Sequence, residues 1–186
     1  GCGGTLLTLR DQQVDHVTWV VFSGTGDRES EAKRSAARLS PAPHDIDVLD
    51  FKDGYFPFHA ERIKDYFEEL KGRVNPNLIF THCLRERHQD HRTIAELTWN
   101  TFRDHLILEY EVPKFEGDLE QTNVYVPLTR DVVEEKVALL MSGFESQKSR
   151  RWFSEETFRG LMRLRGIESN ADHAEGFICR KVLVSQ

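Results

Sequence analysis

The stretch NPNLIFTHCLRERHQDHRTIAEL, residues 75–97, joins a strand pattern, a histidine-rich loop and a helix pattern in immediate succession. The Asn-Pro start and the Leu-Ile-Phe centre of residues 75–82 predict a buried strand. Ile94 and Leu97 then recur at the spacing of a helix that turns one face inward. The segment HQDH, residues 88–91, therefore lies at the carboxyl end of a strand, where open α/β sheets bind their ligands.

The chain on either side of this stretch continues to alternate between helix and strand patterns. Residue patterns predict strands over residues 16–24, 44–51, 106–113, 123–128 and 176–184, and helices over residues 3–13, 27–39, 59–71, 131–144 and 148–165. This alternation predicts an α/β fold with a mostly parallel sheet, to which the late strands add antiparallel edges. The length of 186 residues suits a single domain covering residues 1–186.

The composition predicts a soluble protein that does not bind nucleic acid. Hydrophobic residues make up 39% of the chain and charged residues 30%, and no apolar run approaches the roughly 18 residues of a membrane helix. The net charge of −6 disfavours nucleic-acid binding, because that binding relies on neutralising phosphates.

The cysteines and the first residues indicate the cellular setting. Cys2, Cys83 and Cys179 are far apart and form no C-x-x-C pair, which argues against a disulfide framework and predicts reducing, cytoplasmic surroundings. GCGGTLL lacks the charged and long apolar regions of a signal peptide. Because the sequence starts at Gly1 rather than Met, we expect the natural chain to continue upstream.

The HQDH segment combines two imidazoles with a carboxylate, groups that suit a transition-metal site or general acid–base catalysis. If residues 88–91 begin a helix, His88 and His91 lie on one face and can point at a single centre. Zinc accepts neutral imidazoles, and Asp90 could fix an imidazole tautomer. The alternative is a solvated helix start with Asp90 as its N-cap. Spacing alone leaves both open, because a catalytic zinc site needs three protein ligands.

The segment THCLRERHQDHRTIAEL, residues 81–97, resembles the histidine-containing segment of the LmbE-like, or PIG-L, family of zinc-dependent N-deacetylases, where an H-x-D-H motif follows a buried strand. Further family-like segments occur in the family's order along most of the chain. They are GCGGTLLTL (1–9), HVTWVVFS (16–23), DRESEAKRSAARL (27–39) with Arg28 and Glu31, the Asp53-Gly54 turn, Ser146-Gln147 and HAEGF (173–177). The resemblance implies a Rossmann-like three-layer sandwich.

The resemblance also implies roles for individual residues. His91, the last histidine of the motif, matches a zinc ligand of the family. His88 matches a histidine beside the metal that helps proton transfer or orients its neighbours, and Asp90 supports it. The remaining implied site residues are Arg28 and Asp53, as substrate contacts, and His173, as a group that helps polarise the substrate carbonyl.

The activity that the resemblance implies is hydrolysis of an N-acetylated amino sugar. Zinc, or another divalent transition metal, would activate water and polarise the acetamide carbonyl, and acetate and a free amine would leave. The expected partner is therefore a small-molecule substrate of the N-acetylglucosamine type. The oligomeric state is left open.

Two departures from the family pattern bear on this interpretation. The family's other zinc ligands and its general base belong to an H-P-D-D segment, which this sequence does not contain. Because GCGG resembles the residues that follow that segment, we expect H-P-D-D to lie upstream of Gly1. Glu86 stands where the family commonly has aspartate, which alters the geometry behind the metal ligands.

Three alternative functions stay open at this point. The chain could be a noncatalytic carbohydrate-binding or regulatory protein that keeps the fold without a complete metal site. SGTGDRE, residues 23–29, could cradle a phosphate, although a tight strand-to-helix turn also explains its glycines. The basic stretch KSRRWF, residues 148–153, could bind an anionic group or stack Trp152 on a sugar, although such runs are more often solvated helix faces.

Overall fold

The computed structural model describes residues 1–184, which cluster into two compact units. Unit 1 contains Gly1, residues 52–124 and the described residues from 176 onwards, and unit 2 contains residues 2–51 and 125–175. Within the described chain, none of the helices is both long and apolar enough to cross a membrane. One domain over residues 1–186 stays a prediction, and its last two residues lie outside the described chain.

The secondary structure alternates as the sequence predicts. The helices are α1 (Gly3–Thr8), α2 (Asp27–Leu39), α3 (Ala60–Arg73), α4 (Gln89–Thr101), α5 (Arg130–Gly143) and α6 (Glu155–Glu168), and short 3-10 helices cover Leu9–Asp11, Phe56–His59 and Glu145–Gln147. The strands are β1 (Val17–Val21), β2 (His44–Val48), β3 (Leu78–His82), β4 (Leu106–Tyr110), β5 (Val124–Pro127) and β6 (Ala174–Ile178). The mixed α/β class is therefore confirmed.

The strands form two sheets rather than one mostly parallel sheet. One sheet contains β1 and β2, and the other has the order β3-β4-β6-β5. β3 and β4 are parallel and pair His82 with Tyr110, whereas β6 is antiparallel to β4 and pairs Phe177 with the same tyrosine. The expected antiparallel late strand is thus confirmed, and the three-layer Rossmann-like arrangement stays a prediction.

The core of unit 1 fixes where α4 begins. Ile63, Ile107 and Phe177 are fully buried, and the Phe80 and Phe177 rings lie 5.5 Å apart. Helix α4 packs on α3 and on β3, to which it is connected by the loop of residues 83–88. The first turn of α4 is therefore held close to the carboxyl end of β3.

Unit 2 contains the parallel pair β1 and β2 and a helical core. Leu128, Val133, Val137 and Met162 form a buried cluster between the start of α5 and α6. A Cβ atom on Gly24 would lie 2.3 Å from Val48 Cγ1, so the close approach of the chain to β2 requires glycine there. This supports the tight-turn interpretation of the SGTG loop.

The two largest errors in the predicted boundaries are the end of the last strand and the start of α6, and side-chain hydrogen bonds explain both. The last strand ends at Ile178 rather than at residue 184, because the Cys179 backbone bonds to the Asn123 side chain (2.8 Å from N to Oδ1) instead of extending the strand ladder. Helix α6 begins at Glu155 rather than at residue 148, where Ser154 Oγ accepts a hydrogen bond from the Thr157 amide (3.3 Å) as an N-cap.

Candidate metal and catalytic site

Three histidine rings meet where β3 ends and α4 begins. His82 is the last residue of β3, and His88 is the extended residue immediately before α4. The rings of His82 and His91 stack with centroids 3.8 Å apart and planes 16° apart, and the ring of His88 lies 4.4 Å from that of His91. The loop of residues 83–88 thus returns the chain so that HQDH faces the end of its own strand.

Glu86 lies beneath these rings and is almost completely buried. One carboxylate oxygen, Oε1, contacts both His91 Nδ1 and Lys114 Nζ, and the other, Oε2, lies 3.5 Å from His82 Nδ1. Burial alone would raise the pKa of Glu86, but hydrogen bonds from His82 and His91 outweigh it and hold that pKa well below its ordinary value. Glu86 is therefore an ionised carboxylate that can accept hydrogen bonds only.

His82 is a neutral imidazole at pH 7. Burial, which disfavours the charged ring, lowers the pKa of His82 to about 4. Its Nε2 lies 3.3 Å from the Tyr110 hydroxyl, which belongs to the neighbouring strand β4. A neutral imidazole is the form that coordinates metal ions.

Asp90 does not cap α4, so the interpretation of HQDH as a solvated, Asp90-capped helix start is wrong. Asp90 is buried, and its carboxylate accepts hydrogen bonds from the backbone amides of Gly54 and Phe56 (3.0 Å to Phe56). Gly54 has φ +81°, a left-handed conformation that favours glycine. Asp90 therefore holds the Asp53-Gly54 turn against the start of α4.

We expect Asp90→Asn to destabilise the protein by about 1–3 kcal/mol. The NH2 group of asparagine would face one of the two backbone N–H groups that now donate a hydrogen bond to the Asp90 carboxylate, and that N–H group would lose its acceptor. Urea unfolding of both proteins would measure the loss. Asp65→Asn on α3 is the matched control, since Asp65 is exposed. Equal stability of the two variants would show that the Asp90 contacts contribute nothing.

The cluster contains donor groups of the kind that a divalent transition metal accepts. One ligand atom each from His82, Glu86 and His91 lie within 4.8 Å of one another. His88 Nδ1 is buried and has no hydrogen-bond partner among residues 1–184. Imidazole nitrogen with carboxylate oxygen is a ligand set that zinc and iron accept. These residues therefore fit a metal ion, with His91 at their centre.

The sequence interpretation did not identify His82, Glu86 and Lys114 as members of this cluster. His82 carried a usable signal, because it ends the same strand that places HQDH at the sheet edge. Glu86 was assigned only as a departure from a family pattern. Lys114 follows β4, and nothing in its local sequence indicates that it reaches Glu86.

The other predicted site residues are placed as follows. Asp53 is exposed in the turn that Asp90 holds, in the same unit as the histidine cluster. Arg28 lies in the first turn of α2, and His173 immediately precedes β6, both in unit 2. The catalytic or substrate-binding roles of Asp53, Arg28 and His173 stay predictions.

The basic helical region has ordinary ion pairs within unit 2. Arg159 makes two hydrogen bonds of 2.8 Å to Glu134, and Arg165 makes two of 2.8 Å to Glu168. The Arg159 pair supports the interpretation of this region as a solvated, charge-paired surface, whereas Arg165 is itself buried.

Solved structures of similar fold include enzymes of two reaction types. N,N'-diacetylchitobiose deacetylase from Pyrococcus horikoshii is 21% identical, with a TM-score of 0.71 over 96% of this chain and 78% of that chain. A triple mutant of a deacetylase from the teicoplanin biosynthetic pathway is 14% identical, with a TM-score of 0.74 over 95% and 90%. GalB, the 4-carboxy-2-hydroxymuconate hydratase from Pseudomonas putida KT2440, is 16% identical, with a TM-score of 0.71 over 99% and 91%. At such identities the likeness shows the fold alone.

The sequence itself gives the family. No curated protein sequence matches this chain. A family profile described as PIG-L, GlcNAc-PI de-N-acetylase, matches residues 1–102, which is more than half of the chain and includes the whole stretch from β3 to α4. The resemblance inferred from HQDH is thereby confirmed, and the chain belongs to the PIG-L family.

Proposed function

We propose that this protein is a zinc-dependent hydrolase that removes the N-acetyl group from an N-acetylglucosamine-type substrate and releases acetate. The observation that carries the proposal is the histidine cluster around His91, built on Glu86 at the carboxyl end of β3 in a PIG-L family chain. Its soluble, cytoplasmic setting and its small-molecule partner belong to the same proposal.

The residues of the cluster would have different roles in amide hydrolysis. His91 would hold the metal, with His82 as the neighbouring imidazole donor and Glu86 in contact with His91 Nδ1. A bound zinc ion lowers the pKa of water to about 7 and polarises a carbonyl. His88, whose Nδ1 is buried and unpartnered within residues 1–184, would give a proton to the leaving amine as the C–N bond breaks. Water thus adds across the amide to give acetate and a free amine.

Two exposed aromatic rings in the same unit as the histidine cluster support a sugar as substrate. Tyr55 and Phe58 are 45% and 76% exposed, with ring centroids 6.0 Å apart. Tyr55 directly follows Gly54, the residue that Asp90 binds. Aromatic faces suit the apolar face of a pyranose ring. Lys52 Nζ already lies 3.7 Å from the centroid of the Tyr55 ring, so the Phe58 ring is the better stacking candidate. Phe58 lies in the same unit as the histidine cluster, whereas Trp152 lies in unit 2.

A hydratase of the same fold makes direct product measurement necessary, because fold alone does not fix a reaction. The test is to incubate protein expressed from the complete coding sequence with N-acetylglucosamine conjugates and to quantify acetate and free amine. We expect both products in equal amounts, and we expect their formation to stop after chelation and to resume with added zinc.

Each contrary result points to a different error. Acetate release that survives complete metal removal would contradict zinc dependence. A protein that binds zinc but releases no acetate from any acetylated amino sugar would contradict the deacetylase proposal. A protein that binds such sugars without metal and without turnover would favour the noncatalytic alternative.

A further inference from the structure

Lys114 is a buried cation that contacts the carboxylate beneath the histidines. It follows β4, and its side chain is 8% exposed where that of Glu86 is 4% exposed. Its Nζ contacts Glu86 Oε1 and lies 3.6 Å from Asp118 Oδ1. Long charged side chains are seldom buried in this way unless they are paired.

The contact shares one oxygen with a histidine. Glu86 Oε1 meets both Lys114 Nζ and His91 Nδ1. A carboxylate beside Nδ1 favours the tautomer with a proton on that nitrogen, so Nε2 keeps the lone pair that a metal needs. The same oxygen cannot also bind a metal ion closely without displacing the ammonium group, because two cations would repel each other at one site.

We propose that Lys114 is a positioning residue: it holds Glu86 Oε1 against His91 Nδ1, so that this oxygen orients His91 and does not itself bind the metal. The proposal rests on the proposed function only for the presence of the metal. In the group formed by His82, Glu86 and His91, Glu86 could either bind the metal directly or orient His91, and the proposal selects the second role. Glu86 contacts His91 at Nδ1, and the metal is bound through the opposite ring nitrogen, Nε2.

The surroundings of Lys114 exclude a direct role in substrate binding. The cavity beside it has a volume of about 10 Å³, which is the space of roughly one water molecule. Its lining includes the acidic residues Glu86, Glu111, Asp118 and Glu120. An N-acetylated sugar cannot enter this cavity, so Lys114 acts through Glu86.

The two uses of Glu86 predict zinc affinities that change in opposite directions. If Lys114 positions Glu86, Lys114→Met weakens zinc binding about 10- to 100-fold, as loss of a partner behind a ligand usually does, and Lys114→Arg restores most of it. If Glu86 is a ligand and Lys114 its competitor, Lys114→Met strengthens zinc binding. Competition with a chelator of known affinity, on protein from the complete coding sequence, measures the difference.

A second variant and a metal-free measurement complete the test. Lys114→Met leaves the buried Glu86 carboxylate without its cation, which could impair folding. The double variant Lys114→Met/Glu86→Gln replaces both charged groups by uncharged ones and is expected to fold. We expect it to bind zinc about 10- to 100-fold more weakly than the parent. Nitrogen-15 NMR of the metal-free parent should show His91 with its proton on Nδ1.

The possible outcomes separate this inference from the proposed function. Unchanged or tighter zinc binding by Lys114→Met overturns the positioning role, even if the parent releases acetate. His91 with its proton on Nε2 in the metal-free parent overturns it as well. A parent that binds no zinc overturns the proposed function and the metal-directed role of Lys114 together, and the NMR result then shows whether the Glu86 contact still sets the tautomer.

Discussion

His91→Ala is expected to remove zinc from the protein and to reduce acetate release to background. The His91 ring lies at the centre of the cluster, stacked on His82 at 3.8 Å and 4.4 Å from His88. Removing it deletes a direct metal ligand, so the loss should exceed the roughly 10- to 100-fold effect of removing a partner behind a ligand. Glu86 would also lose the imidazole that shares its Oε1 with Lys114.

Metal content per chain by mass spectrometry is the measurement that checks this, on parent and variant expressed from the complete coding sequence. The parent should carry about one zinc ion, as a single catalytic site requires, and the variant almost none. His16→Ala is the matched control, because the His16 side chain is 46% exposed and belongs to unit 2. Full zinc content in His91→Ala would contradict the assignment of His91 as a ligand.

The position of this site could be predicted from sequence because it depends on local order along the chain. A strand pattern ending at His82 and a helix pattern starting near residue 89 place the intervening residues at a sheet edge. The contacts of Glu86 could not be predicted in the same way. They require the loop of residues 83–88 to fold back and Lys114 to arrive from the end of a different strand.

The fold shows the same division between local and distant interactions. Helix α2 has the bounds that its sequence pattern predicts, because strong helix-forming residues occupy most of Asp27–Leu39. The end of β6 was mispredicted, because it depends on a hydrogen bond between Cys179 and Asn123, residues that are distant in sequence. The number of sheets likewise depends on strand pairing, which apolar periodicity does not encode.

Gly4, at the start of α1, packs against a buried carboxylate of unit 2. Glu175 accepts hydrogen bonds from the amides of Gly4 and Thr5 at 2.7 Å each, and from Thr5 Oγ1 at 2.6 Å. It also pairs with Lys136 Nζ at 2.6 Å. A Cβ atom on Gly4 would lie 2.7 Å from Leu128 Cδ1, so the approach of α1 to this carboxylate needs glycine.

Glu175→Gln is expected to lower the free energy of unfolding by about 3–5 kcal/mol at pH 7, because it leaves the Lys136 ammonium buried without a counter-charge. Guanidinium unfolding measures this loss. Glu134→Gln is the matched control. Glu134 pairs with Arg159 but is 54% exposed, so solvent screens the pair and its loss should cost far less. Equal effects of the two substitutions would mean that burial does not strengthen the Glu175 contacts.

The same carboxylate should make stability depend on pH in a defined direction. Burial, the largest single cause, would raise the pKa of Glu175, but the charge of Lys136 and the hydrogen bonds from Lys136 and Thr5 act together to keep the pKa below the ordinary 4.5. Because the pKa is lowered in the folded state, the stabilisation is fully present above the ordinary pKa and is lost as the pH falls through the folded-state value. The stability difference between parent and Glu175→Gln should therefore be constant near neutral pH and shrink only below about pH 4.5. A difference that persisted undiminished to the acid end of the titration would show that Glu175 stabilises through packing rather than through its charge.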